Sequence, residues 1–227
     1  MGKIRLFTAF IAIALLVGLN HSNAFAVPIV FNLGYGGTVS YGGGPAPLTT
    51  SNGLVTSVGN GTTTTSITGG ALNFTTGTLN SLSLSSPFEY KFNSGGSLSI
   101  NGNAGSGSAV LMTGNFADIT TFSCCTGGGG TYTSSFSGLL NINYVDPNLA
   151  NLLAFNPPPN GGSIAQVQIF FGTAPTAGAA FSGTQAGGAI TANDTASVPE
   201  PTSLILLGAG LMGFALVGRK LRKNTLS

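Results

Sequence analysis

The chain of 227 residues has no tryptophan, one histidine, two cysteines and few charges. Charged residues make up 5% of the chain, against about 25% in an ordinary soluble domain. Lys91 is the single basic residue between the two ends of the sequence. A protein that binds nucleic acid needs a basic patch, so this class is excluded. Glycine is abundant instead, with 36 residues.

The near absence of histidine excludes several kinds of catalytic site. The one histidine is His21, within the first 26 residues, which are predicted below to be removed. Without it the mature protein has no Ser-His-Asp or Cys-His catalysis and no histidine-ligated zinc. We therefore expect no enzymatic activity, no cofactor and no metal. One alternative stays open, a secreted hydrolase that uses two carboxylates such as Glu89 and Asp118.

The first 26 residues have the three zones of a secretory signal peptide. Lys3 and Arg5 form a basic start, and an uncharged apolar run extends from residue 6 to residue 19. Small residues then offer cleavage sites for signal peptidase after Ala24 or Ala26. We predict a signal-peptide helix over residues 1–26.

The C-terminal end predicts a single transmembrane helix over residues 203–218. This uncharged run would be about 24 Å long as a helix, somewhat short for a hydrocarbon core of about 30 Å. By the positive-inside rule, the basic residues after it fix that end in the cytoplasm and leave residues 27–202 outside. These residues are Arg219, Lys220, Arg222 and Lys223.

A proline-flanked acid precedes this helix, in the sequence Val198, Pro199, Glu200, Pro201. Two prolines hold such a segment extended, as a processing enzyme requires. The motif, the apolar helix and the basic tail together resemble the PEP-CTERM sorting signal of Gram-negative bacteria. The resemblance implies export, processing by an exosortase in the membrane, and a place at the cell surface or in an exopolysaccharide or biofilm matrix.

The middle of the chain predicts an all-β ectodomain over residues 27–182. Apolar and polar residues alternate in several short runs, such as 88–92, 140–144 and 166–171, as in half-buried strands. Glycine, asparagine and proline clusters separate the runs. We predict an antiparallel β-sandwich. One helix is predicted after Asp146, with Asp146 as N-cap and Pro147 at its first position.

The remaining domain boundaries follow from composition. Residues 183–197 are rich in glycine, alanine and threonine and predict a flexible linker. The sorting signal then occupies residues 198–227. Between the signal peptide and the sorting signal the sequence has one lysine and four acidic residues, so the ectodomain carries a formal charge of −3.

Cys124 and Cys125 are adjacent, and an exported chain meets an oxidising compartment. A disulfide between them, cross-links to another chain and two free thiols all remain open. We expect a structural or adhesive, non-catalytic protein of the cell surface or matrix. A carbohydrate-binding module is the alternative, with Tyr35, Tyr41 and Tyr132 near glycine-rich loops as candidate contacts for sugar rings.

Overall fold

The structure is a computed structural model that describes residues 28–85, 87–105, 107, 110–124, 134–155, 164–172 and 175–193. All of them belong to one compact unit, residues 26–195. The predicted signal peptide, transmembrane helix, sorting motif and basic tail lie outside the described residues.

The described part of the chain is almost entirely β-strand, as the alternating apolar pattern predicted. It contains thirteen strands and one short helix. They are β1 (Ile29–Leu33), β2 (Thr38–Tyr41), β3 (Leu48–Gly59), β4 (Thr64–Ser66), β5 (Thr68–Thr76), β6 (Leu79–Ser83), β7 (Phe88–Phe92), β8 (Gly95–Asn103), β9 (Val110–Phe116), β10 (Thr120–Cys124), β11 (Ser134–Val145), α1 (Pro147–Leu152), β12 (Ile164–Gly172) and β13 (Phe181–Ala192).

The strands close into an antiparallel barrel with eight positions. Four positions each hold two consecutive strands, namely β1 with β2, β5 with β6, β7 with β8, and β9 with β10. The other four hold β3, β11, β12 and β13, and the short β4 pairs with β3 without being part of the ring. Each position pairs with the next along the chain, and β1 pairs with both β13 and β3, which closes the ring. The predicted β-sandwich is therefore wrong, although the all-β class is confirmed.

A barrel and a sandwich share the same local signal, because each buries one face of every strand. What separates them here is the pairing of the first strand with the last, for example Ile29 with Ala192. That pairing joins segments far apart in sequence, so no alternation within either strand indicates it.

At three barrel positions a short break separates the two consecutive strands, and the three breaks are neighbours across the sheet. The breaks are at residues 77–78, 93–94 and 117–119, and they lie side by side because Leu79 and Thr120 both pair with Phe92. Single backbone hydrogen bonds bridge two of the breaks, from Asn93 N–H to Thr78 O at 2.9 Å and from Ala117 N–H to Leu139 O at 2.9 Å. The barrel continues across the breaks, and the turn at residues 117–119 adds a small ledge to its outer surface.

Aromatic side chains fill much of the interior of the barrel. One group surrounds the buried Tyr90, whose ring centroid lies 5.4 Å from that of Tyr41 and 5.8 Å from that of Phe122. The Tyr90 hydroxyl donates to Thr176 O at 3.2 Å and accepts from Gly178 N–H at 3.0 Å. This tyrosine thereby holds the segment 175–180 against the barrel.

The buried Gln185 completes the barrel where β1 gives way to β2. Its Nε2 donates to Gly34 O and to Leu54 O, both at 2.9 Å. Its backbone carbonyl accepts from Gly36 N–H at 3.0 Å. One side chain and one carbonyl thus replace ladder hydrogen bonds that the interrupted strand cannot form.

The predicted helix is confirmed. Asp146 caps it, with its carboxylate accepting from Leu149 N–H at 2.8 Å, and Pro147 occupies the first turn. Leu149 and Leu153 are fully buried, so the helix packs onto the hydrophobic core. No helix in the described part of the chain has the length and apolar character needed to cross a bilayer.

The predicted linker begins too early, because residues 183–192 belong to β13. This strand pairs with β12 along one side and with β1 and β2 along the other. A Cβ atom at Gly188 would lie 2.2 Å from Gln168 O. The small residues that resemble a linker therefore serve close strand approach, and the ectodomain extends to residue 192.

Candidate functional site: an outer face with the exposed charges

Four charged residues lie in the described part of the chain, and one of them is structural. Asp146 is only 3% exposed and caps the helix. The other three are Glu89, Lys91 and Asp118, and they gather around β10. Glu89 pairs with Ser123 and Lys91 with Thr121, while Asp118 lies in the turn before β10. One face of the barrel thus carries all the charges that the described residues leave unburied.

Strand register extends this face across five strands, β6, β7, β10, β11 and β12. Side chains in register with a pleated neighbour point to the same side of the sheet. The residues between them, such as Phe122, Phe136 and Ile169, are fully buried, so both rows face outward. The first row is Ser81, Lys91, Thr121, Ser137, Gln168, and the second is Ser83, Glu89, Ser123, Ser135, Phe170.

A shallow groove of about 230 Å³ opens on this face. It crosses β10, β11 and β12, and the turn with Asp118 forms one edge. Its lining combines hydroxyl, amide and carboxylate groups with two exposed aliphatic side chains. The lining residues are Asp118, Ile119, Thr121, Ser137, Gly138, Leu139 and Gln166.

Local sequence explains the shape of the groove. The Asp118 carboxylate accepts from the following backbone N–H, that of Ile119, at 2.7 Å, which holds the turn. Ile119 and Leu139 are 47% and 42% exposed, so apolar surface remains open to solvent there. A side chain at Gly138 would place its Cβ atom only 2.7 Å from Thr120 Cγ2, so the close packing there requires glycine. The groove therefore presents polar groups and exposed aliphatic carbon side by side.

The two carboxylates of the hydrolase alternative do not form a pair. Glu89 pairs with Ser123, three residues beyond the first residue of β10, whereas Asp118 precedes the strand. Catalytic carboxylates of glycosidases face each other across one bond within one site, about 5–10 Å apart. The groove that Asp118 lines does not include Glu89. This arrangement weakens the hydrolase alternative.

The three tyrosines predicted as contacts for sugar rings differ in their exposure. Tyr35 is 73% exposed, but Tyr41 is 2% exposed and packs inside the barrel, so its candidacy is wrong. Tyr132 lies outside the described residues. Phe170 is 41% exposed on the outer face, and the sequence analysis missed it. The signal was the doublet Phe170-Phe171, because adjacent strand residues point to opposite faces and only one can be buried.

The remaining predicted site residues fall mainly outside the described part of the chain. Cys124 is fully buried at the end of β10 and is disulfide-bonded. Cys125 lies outside the described residues, as do Ala24, Ala26 and Glu200 with its neighbouring prolines. The described residues contain no group of three or more histidine, cysteine or acidic side chains that could hold a metal ion.

Comparison with known proteins identifies the C-terminal segment. The family model of the PEP-CTERM protein-sorting motif matches residues 197–222, which include the predicted motif 198–201 and the apolar run. No curated protein and no solved structure matches the chain. The motif indicates an exported protein that an exosortase processes at the membrane. The chain is thus a protein with a PEP-CTERM sorting signal, as its last thirty residues predicted.

Proposed function

We propose that this protein is a non-catalytic component of the cell surface or of the exopolysaccharide matrix. Signal peptidase removes residues 1–26, and an exosortase then acts at the motif of residues 198–201. The sorting motif at residues 197–222 is the observation that carries this proposal. The barrel is the part of the molecule that reaches the outside.

The surface of the barrel supports a role among hydrated neutral polymers. Away from the charged face, hydroxyl side chains run across successive strands in register. Ser40 and Thr49 lie 2.8 Å apart between their hydroxyl oxygens. The row continues through neighbouring strands as Ser182, Ser40, Thr49, Thr75, Ser97. Such a surface exchanges hydrogen bonds with water and with sugar hydroxyls without needing charge.

The first test concerns processing. The mass and location of the mature protein are measured in its own host, with and without the exosortase. We expect a product outside the cell that lacks residues 1–26 and the segment beyond about residue 201. A protein that keeps residues 204–223 in the membrane of both strains would contradict the proposal.

A matched pair of variants makes this test specific to the motif. Glu200→Gln neutralises the acid of the motif, whereas Asp194→Asn neutralises an acid six residues earlier. We expect unprocessed protein to accumulate with Glu200→Gln and not with Asp194→Asn. Equal processing of both variants would show that the acid of the motif is not recognised.

The second test concerns the matrix role. The processed protein is incubated with exopolysaccharide from its host in low and high salt, and the bound fraction is measured by cosedimentation. We expect binding that changes little with salt, because a neutral polymer makes hydrogen bonds rather than ion pairs with the protein. Correct export with no retention by the polysaccharide would leave a surface protein without the matrix role.

A further inference from the structure

We propose that the groove between Asp118 and Gln166 is a binding site for a ring unit of a neutral polysaccharide, with Phe170 as a second contact along the same chain. The inference rests on the proposed function, because that function supplies the polymer. It adds a site, a ligand charge and a direction for the bound chain, none of which follows from the sorting signal.

The chemistry of the groove matches the two kinds of surface on a sugar ring. A ring carries hydroxyl groups at its edge and C–H groups on its faces. The groove offers the Asp118 carboxylate, the hydroxyls of Thr121 and Ser137 and the amide of Gln166. The aliphatic side chains of Ile119 and Leu139 stand beside them, partly open to solvent. Polar and apolar contacts are therefore available to one ring at once.

The size of the groove favours one ring of a longer chain. Its volume of about 230 Å³ is below the range of roughly 300–1,000 Å³ for sites that enclose a drug-sized ligand. The groove is also an open feature of the sheet surface rather than an internal cavity. A polymer can thus lie across it and continue in both directions.

The charge at the groove decides which polymers fit. Asp118 is the one acidic residue that lines it, and a carboxylate accepts hydrogen bonds from hydroxyl groups with more energy than a neutral acceptor does. The Ile119 N–H donates to the Asp118 carboxylate and uses only part of its acceptor capacity. The same charge repels a uronic acid, so the site selects neutral over anionic rings.

Phe170 gives the bound chain its direction. Gln166, Gln168 and Phe170 all point outward from β12, because the residues between them are fully buried. Four residues of strand place Phe170 about 13 Å from Gln166. Phe170 pairs with Ser135 on one side and Gly187 on the other, so small neighbours leave its ring accessible. A chain lying along β12 reaches both the groove and this ring.

The test compares binding of the processed protein to a neutral glucan and to a polyuronate of similar length. Gln166→Ala and Asp118→Ala each remove a polar group from the groove, whereas Ser66→Ala removes an exposed hydroxyl of β4, outside both the groove and the hydroxyl row. We expect each groove variant to lose about three- to tenfold in affinity for the glucan. Ser66→Ala should bind like the wild type. The polyuronate should bind more weakly than the glucan to every protein that keeps Asp118, and this difference should shrink in Asp118→Ala.

Phe170→Ala provides a second, independent readout. We expect it to weaken binding of the polymer and to leave binding of a single neutral monosaccharide unchanged, because only a chain reaches both contacts. Urea unfolding of each variant checks that the barrel is intact.

The outcomes separate this inference from the proposed function. Groove variants that bind the glucan as the wild type does would overturn the site, even if the protein is exported and retained in the matrix. Tighter binding of the polyuronate would overturn the assigned ligand charge. A protein that is not processed at all would contradict the proposed function, whatever the groove binds.

Discussion

Single side chains contribute to the stability of this barrel through specific hydrogen bonds, and Gln185 is the clearest case. Its side chain is fully buried, and its Nε2 supplies hydrogen bonds to the carbonyls of Gly34 and Leu54. Among the described residues its Oε1 has no hydrogen-bond partner, so the amide contributes through the two bonds that its Nε2 donates. An apolar residue of similar size fills the space but donates nothing.

We therefore expect Gln185→Leu to destabilise the fold by about 1–3 kcal/mol, because it leaves a buried carbonyl without a donor. Gln168→Leu is the matched control, since Gln168 is exposed on β12; surface changes of this kind usually stay within about 0.5 kcal/mol. Urea unfolding measures both. Equal unfolding midpoints for the two variants would mean that the hydrogen bonds of Gln185 contribute nothing net.

Tyr41 links stability to alkaline pH. Burial, and then the neighbouring Tyr90, raise the pKa of Tyr41 above its ordinary value of about 10. The folded state keeps its proton in a range where the unfolded state releases it. Stability from this group is full below pH 10 and is lost as the pH rises through the raised pKa.

The corresponding variant is Tyr41→Phe, which has no proton to lose at this position. We expect its free energy of unfolding to fall less between pH 9 and pH 11 than that of the wild type, although it starts lower because the hydrogen bond to Gly44 O is missing. Tyr35→Phe, at a 73% exposed site, should follow the wild-type slope. Parallel slopes for all three proteins would contradict this expectation.

Among the elements, β13 determines whether the barrel closes. It pairs with β12 on one side and with β1 and β2 on the other. Gly188 has a φ of +138° and lies against Gln168 O, where a Cβ atom would be 2.2 Å away. Both the backbone conformation and the close approach therefore require glycine.

We expect Gly188→Ala to separate β12 from β13 and to destabilise the protein by more than about 2 kcal/mol, or to prevent folding. Gly172→Ala is the control, because the nearest atom to a Cβ there is 4.0 Å away and the backbone is not strained. Far-ultraviolet circular dichroism and urea unfolding distinguish them. A stable Gly188→Ala barrel would show that β13 shifts at little cost.

Strand existence was predictable from sequence where the alternation is clean, as in β7 and β12. The assignment of side chains to the buried face failed where a bulge intervenes. The register of β11 shifts between Ile142 and Tyr144, which leaves Tyr144 41% exposed although the pattern placed it with the buried residues. The helix after Asp146 was predictable because capping is local chemistry. The closing strand was not, because its small residues resemble a linker.

At the scale of the whole molecule, the few charged residues of the sequence are distributed unevenly over the barrel surface. Only three unburied charged residues lie in the described barrel, and they share one face. The candidate site could be predicted from the sequence only in part. Glu89 and Asp118 were noticed as rare acids, but their placement on one outer face depends on strand pairing between distant segments.

This distribution predicts a stability that depends little on ionic strength. We expect the free energy of unfolding of the processed protein to change by less than about 0.5 kcal/mol between 0.05 and 0.5 M NaCl. Sodium sulfate should raise it, because that salt strengthens apolar burial. A large response to sodium chloride would indicate charge interactions that the described residues do not show.

The pairing of Ile29 with Ala192 places the two ends of the barrel segment side by side. Paired residues of an antiparallel ladder have Cα atoms about 4.5–5.5 Å apart, so the first and last strands are related like the arms of any hairpin in the meander. In such a closed ring the strand neighbours are the same whichever hairpin loop carries the chain termini. A circular permutant that joins these ends and opens at another hairpin loop keeps every strand neighbour. We expect it to form the same barrel, although its strands are synthesised in a different order.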